Sequence, residues 1–329
     1  MKKSDESLGR IVAELKGKKN VLVATHVFPD GDALGSQLAM GNILEGMGKK
    51  VFYYSEERIS HLYDYMPGCE KLESRLPKPA VFDAIISLDC GDCFRLGEAL
   101  EDLREIHPFV VIDHHSGHKE FGDLRWIDPN RSSTGEMVYE LAVALGADIS
   151  YEAAFCLFTA IVADTGSFKY DCTTASTFRV AGELVDLGVK PYDVARKLFD
   201  NYTTGRLRLL EAVLGTLEMH ADGQIAIITV TQEMFARTGA KRDDTEDFIN
   251  YPRALNTVKV AIFIKEGIDG WIGVSMRAKG ECDVAQLAMT FGGGGHRNAA
   301  GYRLQGSTIA AVRTALLPEL LRRLAAKGL

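Results

Sequence analysis

Four short segments of the chain carry aspartate and histidine side chains of the kind that bind metal ions. Residues 26–32 read HVFPDGD, residues 88–92 read LDCGD, residues 113–115 read DHH and residues 163–168 read ADTGSF. Each of the first three segments follows an apolar run that is typical of a buried strand. Because the carboxyl ends of parallel strands meet at one edge of a sheet, we expect these side chains to form a single site there.

The carboxylates of these segments would repel one another if they converged. Two unit charges about 4 Å apart cost roughly 4 kcal/mol at an effective dielectric constant of about 20. Asp30, Asp32, Asp89 and Asp164 would therefore need protonation, solvent or cations, and two divalent ions match their formal charge. Oxygen and imidazole ligands suit Mn²⁺, Mg²⁺ or Fe²⁺. Two such ions about 3.5–4 Å apart favour in-line displacement at phosphorus, because they activate water and stabilise the attacking and leaving oxygens.

The four segments, in this order, resemble the DHH phosphoesterase superfamily, and their spacing is similar to that of its NrnA-like branch of nanoRNases, which are oligoribonucleases and pAp phosphatases. A second resemblance lies near the C-terminus. Ser275-Met276-Arg277 and residues 291–301, which read FGGGGHRNAAG, are similar to the DHH-associated substrate-binding domain. Together the two resemblances cover nearly the whole chain.

Composition and charge restrict the class of protein. The chain has 329 residues, of which 46% are hydrophobic and 25% charged, as in an ordinary globular protein with room for two cores. The net charge of −7 argues against a large duplex-binding surface. No apolar run approaches the roughly 20 residues of a membrane helix, and no signal peptide is evident. We therefore expect a cytoplasmic protein without membrane contacts, and its six cysteines indicate no disulfide framework.

Alternating strand and helix patterns predict an α/β fold with two domains. We expect a parallel-sheet DHH domain at residues 1–189, a helical connector at 190–222 and a smaller α/β DHH-associated domain at 223–329. Predicted strands are Val21–Thr25, Val51–Tyr54, Ala84–Leu88 and Phe109–Ile112 in the first domain, and Gln224–Val230, Val258–Ile264, Trp271–Met276 and Tyr302–Leu304 in the second. Predicted helices include residues 133–145, 151–163, 174–187 and 307–327.

The resemblance also implies individual roles in the first domain. Six residues are expected to bind metal: His26 and Asp30 one ion, Asp32, His114 and Asp164 the other, and Asp89 both. Asp113 is expected to orient an imidazole, and His115 to contact phosphate or water. Arg277 of the second domain is expected to stabilise charge in the transition state.

Further residues are candidates for binding substrate. Glycines lack side chains, so a glycine run can bring several backbone N–H groups close to a phosphate, although such runs are more often flexible turns. The expected substrate contacts are Gly293, Gly294, Gly295, His296, Ser275 and Arg95. Arg95 is about as easily explained as a solvated side chain. Residues 133–136 (STGE) match a family segment and are best interpreted as a helix cap that could support the site indirectly.

The resemblance implies a two-metal phosphohydrolase, with Mn²⁺ expected at both positions and Mg²⁺ or other divalent ions as alternatives. Expected substrates are very short single-stranded RNA, including linear dinucleotides, and pAp, and a homodimer is implied. Four alternatives stay open: a cyclic di-AMP phosphodiesterase, a family II pyrophosphatase, a RecJ-type exonuclease and, from a different class, a nucleotide-binding module without catalysis. The sequence leaves open the native metal, the cleavage polarity and the physiological substrate.

Overall fold

The computed structural model describes residues 3–57, 59–77, 81–280 and 282–326. The chain divides into two compact units, Met1–Asn201 and Tyr202–Leu329. Residues 190–222, predicted as a connector, contribute one helix to the first unit and a helix and a short strand to the second. Within the described ranges, no helix is long and apolar enough to cross a membrane.

The first unit alternates strands and helices along the chain, as the sequence pattern predicted. Its elements, in chain order, are α1 (Lys3–Lys16), β1 (Asn20–Thr25), α2 (Gly31–Gly46), β2 (Lys50–Tyr54), β3 (Leu72–Glu73), β4 (Ala84–Leu88), α3 (Leu100–Arg104), β5 (Phe109–Asp113), β6 (Leu124–Ile127), α4 (Thr134–Leu145), α5 (Tyr151–Asp164), α6 (Ala175–Asp186) and α7 (Pro191–Phe199).

The described strands of this unit form a six-stranded sheet in the order β3-β2-β1-β4-β5-β6. Every neighbouring pair is parallel, so the predicted parallel α/β sheet is confirmed. The strand order reverses direction at β1, which lies between β2 and β4. In such sheets a crevice opens outside the carboxyl ends of the strands at the point of reversal. That crevice is where the first two Asp-rich segments leave the sheet.

Both faces of this sheet are buried, which explains why its strands are continuously apolar. Along β1, Val21 and Val23 pack into one core with α2, α4 and α5, while Leu22 and Ala24 pack into a second core with α3. Successive side chains of a strand point to opposite faces, so a parallel sheet covered on both sides needs apolar residues throughout. The sequence pattern did not predict the two outer strands, β3 and β6, because they are short. In β6, the exposed Arg125 also interrupts the apolar pattern.

The second unit is built on a mixed sheet. Its elements are α8 (Thr204–Leu214), β7 (Glu218–His220), β8 (Ile225–Val230), α9 (Gln232–Thr238), α10 (Asn250–Ala254), β9 (Val260–Glu266), β10 (Trp271–Ala278), α11 (Val284–Thr290), β11 (Gly294–His296), β12 (Ala299–Gln305) and α12 (Ile309–Ala326).

The described strands of this unit follow the order β11-β12-β10-β9-β8-β7, with β8 and β9 parallel and the other pairs antiparallel. One face packs against α11 and α12. The opposite face is covered by α8 and neighbouring residues over β8 and β9. β12 begins three residues before the predicted Tyr302, because the small residues from Ala299 to Gly301 pair with the glycine-rich β11. The predicted smaller α/β unit is confirmed.

Candidate metal centre

The predicted metal ligands lie where the elements of the first unit end or begin. His26 immediately follows β1, and Asp89 follows β4. Asp30 caps α2 with its side chain, and Asp32 lies in the first turn of that helix. The remaining two are His114, directly after β5, and Asp164, the last residue of α5. The fold thus brings residues 138 positions apart in sequence to one edge of the sheet.

Among the described residues, three groups of side chains are close enough to share metal ions. The potential ligand atoms of each group lie within 4.8 Å of one another. The groups are His26 with Asp30 and Asp89, Asp32 with His114 and Asp164, and Asp89 with His114 and His115. We refer to these seven residues as the His–Asp cluster. Asp89 belongs to two groups and His114 to two, so the groups form one continuous centre.

Two imidazoles have a backbone carbonyl oxygen beside their Nδ1 atoms. His26 Nδ1 lies 2.9 Å from the carbonyl oxygen of Val27, and His114 Nδ1 lies 3.3 Å from that of Arg131. Their Nε2 atoms face carboxylates instead, at 3.6 Å from Asp89 for His26 and 3.4 Å from Asp164 for His114. His114 Nδ1 can donate its proton to the Arg131 carbonyl, which presents the Nε2 lone pair to a metal. At His26, the donor Arg95 Nη2 lies 2.9 Å from the same Nδ1, which cannot both donate to Val27 and accept from Arg95.

The start of α4 holds two of the carboxylates in place. The backbone N–H groups of Thr134 and Gly135 donate to the two oxygens of Asp32, at 2.8 and 2.9 Å. The Thr134 hydroxyl donates to Asp89 Oδ1 at 2.9 Å. The first N–H groups of a helix have no partner within the helix and carry partial positive charge. Asp32 and Asp89 are therefore fixed before any ion binds.

The neighbouring protein groups do not fully neutralise the negative charge of the carboxylates in the cluster. Burial, together with the charges of Asp89, Asp164 and Asp30, raises the pKa of Asp32 well above its usual range. Burial and the charges of Asp89 and Asp30 raise the pKa of Asp164 to about 6, although His114 opposes this increase. Asp89 is buried too, but His115, His26 and His114 outweigh burial and lower its pKa. A cation bound at the centre would lower the pKa of both Asp32 and Asp164.

The donor set fits divalent metal ions. It combines imidazole nitrogens with carboxylate oxygens, and among the described residues no cysteine belongs to the grouped ligands. Oxygen and nitrogen ligands suit Mn²⁺, Mg²⁺, Fe²⁺ or Zn²⁺, whereas structural zinc sites usually use thiolates. The neighbouring Cys90 is buried, and its Sγ contacts the carbonyl oxygen of Asp92.

Comparison with known proteins agrees with this centre. The sequence pattern of "DHH family, N-terminal domain" matches residues 20–161, and that of the "DHHA1 domain" matches residues 222–326. The "Bifunctional oligoribonuclease and PAP phosphatase NrnA" of Thermus thermophilus is 32% identical over 300 residues, which are 90% of this chain and 88% of the relative. The chain belongs to the DHH family of phosphoesterases.

Two further relatives of this DHH-family chain align over most of their length. A "Probable bifunctional oligoribonuclease and PAP phosphatase NrnA" of Streptococcus mutans is 28% identical over 88% of this chain and 91% of its own. The crystal structure of an exopolyphosphatase-related protein from Bacteroides fragilis superposes with a TM-score of 0.87, at 29% identity and 94% coverage of each chain. Both domains of the DHH chain are therefore represented in its relatives.

In this DHH domain, Asp113 holds His115. Asp113 is fully buried, and its Oδ1 lies 2.6 Å from His115 Nδ1 and accepts from the His115 N–H at 3.2 Å. Burial opposes a charge on His115, but Asp89 and the hydrogen bond to Asp113 outweigh it and raise the pKa of His115 to about 9. His115 can therefore carry a proton at neutral pH on a ring that is still partly exposed.

The residues predicted to bind substrate fall into two places. Arg95 lies in the first unit, where its Nη2 is 2.9 Å from His26 Nδ1. Ser275 and Arg277 lie on β10 of the second unit. The glycine run is not an open loop throughout, because Gly294 and Gly295 form β11 and pair with β12. The side chain of His296 lies outside the described part of the structure, and these substrate contacts stay predictions.

Two glycines, Gly293 just before β11 and Gly295 within it, also have a packing reason. A Cβ at Gly293 would lie 2.2 Å from the Gly301 carbonyl oxygen, and one at Gly295 would lie 2.5 Å from that of Ala299. Gly295 in addition adopts a φ of +138°, which other residues rarely adopt. Close pairing of β11 with β12 thus requires glycine whether or not the segment contacts a phosphate.

Sequence reasoning missed Thr134 and Gly135 as partners of the metal ligands. The STGE segment was interpreted as a helix cap, and Ser133 does cap α4 by accepting from the Glu136 N–H. The contacts to Asp32 and Asp89 span more than 40 residues in sequence, so no local pattern encodes them. The one available signal was the match of residues 133–136 to a family segment.

Proposed function

We propose that the chain hydrolyses very short oligoribonucleotides, including linear dinucleotides, to mononucleotides and removes the 3′-phosphate of pAp to give AMP. These are the activities by which the relatives from Thermus thermophilus and Streptococcus mutans are named. The observation that carries the proposal is the His–Asp cluster at the reversal point of the sheet. Short anionic substrates also agree with a net charge of −7, because they need only a local cationic site.

We propose that the cluster holds two divalent ions, Mn²⁺ in the first instance. His26, Asp30 and Asp89 would hold one ion, and Asp32, His114, Asp164 and Asp89 the other. Bound divalent ions would lower the pKa of water and neutralise charge on the phosphoryl oxygens. The two ions correspond to the group of His26, Asp30 and Asp89 and the group of Asp32, His114 and Asp164, and Asp89 is assigned to both because it also groups with His114.

The protein's own groups act around those ions. Asp113 fixes the His115 ring through Nδ1, which leaves Nε2 to donate a proton to a phosphoryl or leaving oxygen. Thr134 and the α4 N-terminus hold Asp89 and Asp32 at fixed positions, so little reorganisation is needed as charge develops. The role of Arg277 in stabilising charge in the transition state stays a prediction. The cytoplasmic location and the homodimer stay predictions.

Product analysis with purified protein and Mn²⁺ tests the proposal. Parallel reactions would contain pAp, pApA, cyclic di-AMP and pyrophosphate. We expect AMP from pApA and phosphate release from pAp. Cleavage of cyclic di-AMP alone would leave the metal site intact but replace the substrate assignment, and cleavage of pyrophosphate alone would do the same.

The variant Asp89→Asn tests the role of the metal ligands in turnover. It keeps the shape of the side chain and removes the charge shared by two groups of the cluster. We expect its turnover of both substrates to fall at least about a hundredfold, since a shared ligand supports both ions. Wild-type turnover by this variant would refute the assignment of Asp89 as the shared ligand.

A further inference from the structure

The second unit has a sheet face that α11 and α12 do not cover. Side chains alternate along β10: Ile272, Val274 and Met276 pack toward α11 and α12, so Trp271, Gly273 and Ser275 point to the opposite face. This is also the face on which the predicted substrate contacts Ser275 and Arg277 lie.

Three basic side chains surround Trp271 on this face. Gly273 pairs with Lys265 on β9 and with Arg303 on β12, so these two residues flank a position without a side chain. The Trp271 ring fills that space, because a Cβ at Gly273 would lie 2.6 Å from its Cζ3 atom. The guanidinium carbons of Arg303 and Arg242 lie 4.9 and 5.0 Å from the Trp271 ring centroid. We refer to Arg242, Lys265, Trp271 and Arg303 as the Trp271 cluster.

The cluster concentrates positive charge in a chain that is acidic overall. Lys265 Nζ lies 3.2 Å from Thr245 Oγ1 and 4.7 Å from the Phe263 ring centroid, in a mostly buried position. Burial lowers the pKa of Lys265 to about 8; the charge of Glu246 opposes this decrease, while Arg242, Arg277 and Arg303 add to it. A bound anion would offset this repulsion.

We propose that the Trp271 cluster binds the terminal phosphomonoester of a short nucleotide. A terminal phosphate carries a charge of about −1.5 to −2 at pH 7, more than the single charge of an internal diester, and so matches several cations better. Planar guanidinium groups bind phosphate through two parallel hydrogen bonds. Because both arginine side chains already contact the rigid Trp271 ring, they lose less conformational entropy when they bind a ligand.

The cluster continues the face on which substrate contacts were predicted. Ser275 pairs with Gly301, which in turn pairs with Gly294 of β11. Gly273 precedes Ser275 by two residues on β10, so the two positions are about 7 Å apart. A nucleotide that contacts Ser275 can therefore bring an end phosphate to the Trp271 cluster. The nucleotide class rests on the proposed function, whereas the anion site rests on the cluster itself.

Tryptophan fluorescence gives a direct test. The chain has two tryptophans, and Trp126 is only 1% exposed in the core of the first unit. The full-length protein with Mn²⁺ would be titrated with pApA that carries a methylphosphonate linkage, which resists hydrolysis, and with the same dinucleotide lacking the 5′-phosphate. We expect a fluorescence change with the phosphorylated ligand that is lost in Trp271→Phe, and about tenfold weaker binding without the 5′-phosphate.

Variants decide whether the cluster causes the binding. Arg303→Gln and Lys265→Met should each weaken binding of the phosphorylated ligand about tenfold and that of the unphosphorylated ligand little. Arg322→Gln, an exposed arginine on α12 paired with Glu319, is the matched control and should bind as wild type. Arg303 is exposed, so its substitution tests the cluster without changing a buried side chain.

Two results would overturn the proposal: equal affinity for the two dinucleotides, or unchanged phosphate discrimination in Arg303→Gln. An equal response to inorganic phosphate at the same concentration would indicate a general anion site and overturn the nucleotide assignment. The proposed function fails separately. If pApA and pAp are not hydrolysed but the Trp271 response persists, the activity is refuted and the site stands.

Discussion

At the scale of single residues, Thr134 is the side chain whose role can be isolated most cleanly. Its hydroxyl donates to Asp89 at 2.9 Å, while its backbone N–H donates to Asp32. Thr134→Val removes the first contact and keeps the second. A hydrogen bond to a charged group contributes about 1.5–3 kcal/mol, so we expect kcat/KM to fall about tenfold or more and the half-saturating Mn²⁺ concentration to rise. Initial rates measured across Mn²⁺ concentrations would check both.

Two further variants control for packing at Thr134. Thr134→Ser keeps the hydroxyl and should recover most of the metal affinity. Thr159 is a fully buried threonine on α5 whose hydroxyl bonds the Phe155 carbonyl, so Thr159→Val makes the same chemical change away from the cluster. If Thr134→Val and Thr159→Val have the same metal requirement, the contact with Asp89 does not position that carboxylate.

Lys265 predicts a residue-scale pH dependence of stability. Its pKa is lowered to about 8, mainly by burial, from about 10.4 in an unfolded chain. Between these values the unfolded chain binds more protons, so the contribution of Lys265 to stability rises with pH. Lys265→Met should therefore be stabilised relative to wild type by about 1–3 kcal/mol at pH 7, and this difference should shrink by pH 10.

Urea denaturation at pH 7 and pH 10 would measure the Lys265 effect. Lys241→Met, a change at an exposed lysine of the same unit, corrects for the general effect of removing a positive charge. A stability difference between Lys265→Met and wild type that does not change with pH would contradict the expected depression of the Lys265 pKa.

At the scale of elements, close packing of α2 against α5 sets the distance between Asp32 and Asp164. A Cβ at Gly35 would lie 2.6 Å from the Cys156 carbonyl oxygen and 3.1 Å from the Ala160 Cβ, both on α5. Gly35→Ala should push the helices apart, cost about 1–3 kcal/mol of stability and lower activity beyond that loss. The same substitution at Gly46, where no atom lies within 4 Å, is the control on the same helix.

Thermal denaturation and initial rates, both in saturating Mn²⁺, would measure the effect of Gly35→Ala. Gly46→Ala should be neutral or slightly stabilising, because alanine favours helix over glycine. If Gly35→Ala folds and turns over substrate as Gly46→Ala does, α2 and α5 tolerate separation and the spacing of the two aspartates is not set by this contact.

The sequence predicted the elements that carry the site but not the contacts between them. β1, β4 and β5 were predictable because strands buried on both faces are continuously apolar, and the ligands follow directly at their ends. The Ser133 cap was predictable because its partner is three residues away. The pairing of α4 with Asp32 was not, because 102 residues separate the Thr134 N–H from its acceptor and no periodicity records that distance.

At the scale of the whole molecule, each compact unit contains one tryptophan, and this allows metal binding to be assigned to a unit. Trp126 lies in the core of the first unit, and Trp271 lies on β10 of the second. In Trp271→Phe, fluorescence-monitored unfolding reports the first unit, and in Trp126→Phe it reports the second.

A ligand that binds only the folded state adds about 2.7 kcal/mol to the free energy of unfolding at one hundred times its Kd. All residues of the His–Asp cluster belong to the first unit. Mn²⁺ should therefore raise the unfolding temperature reported by Trp126 more than that reported by Trp271, EDTA should reverse the increase, and Asp89→Asn should abolish it. An equal shift of both reporters would mean that the units unfold together, and a shift confined to Trp271 would place the metal outside the cluster.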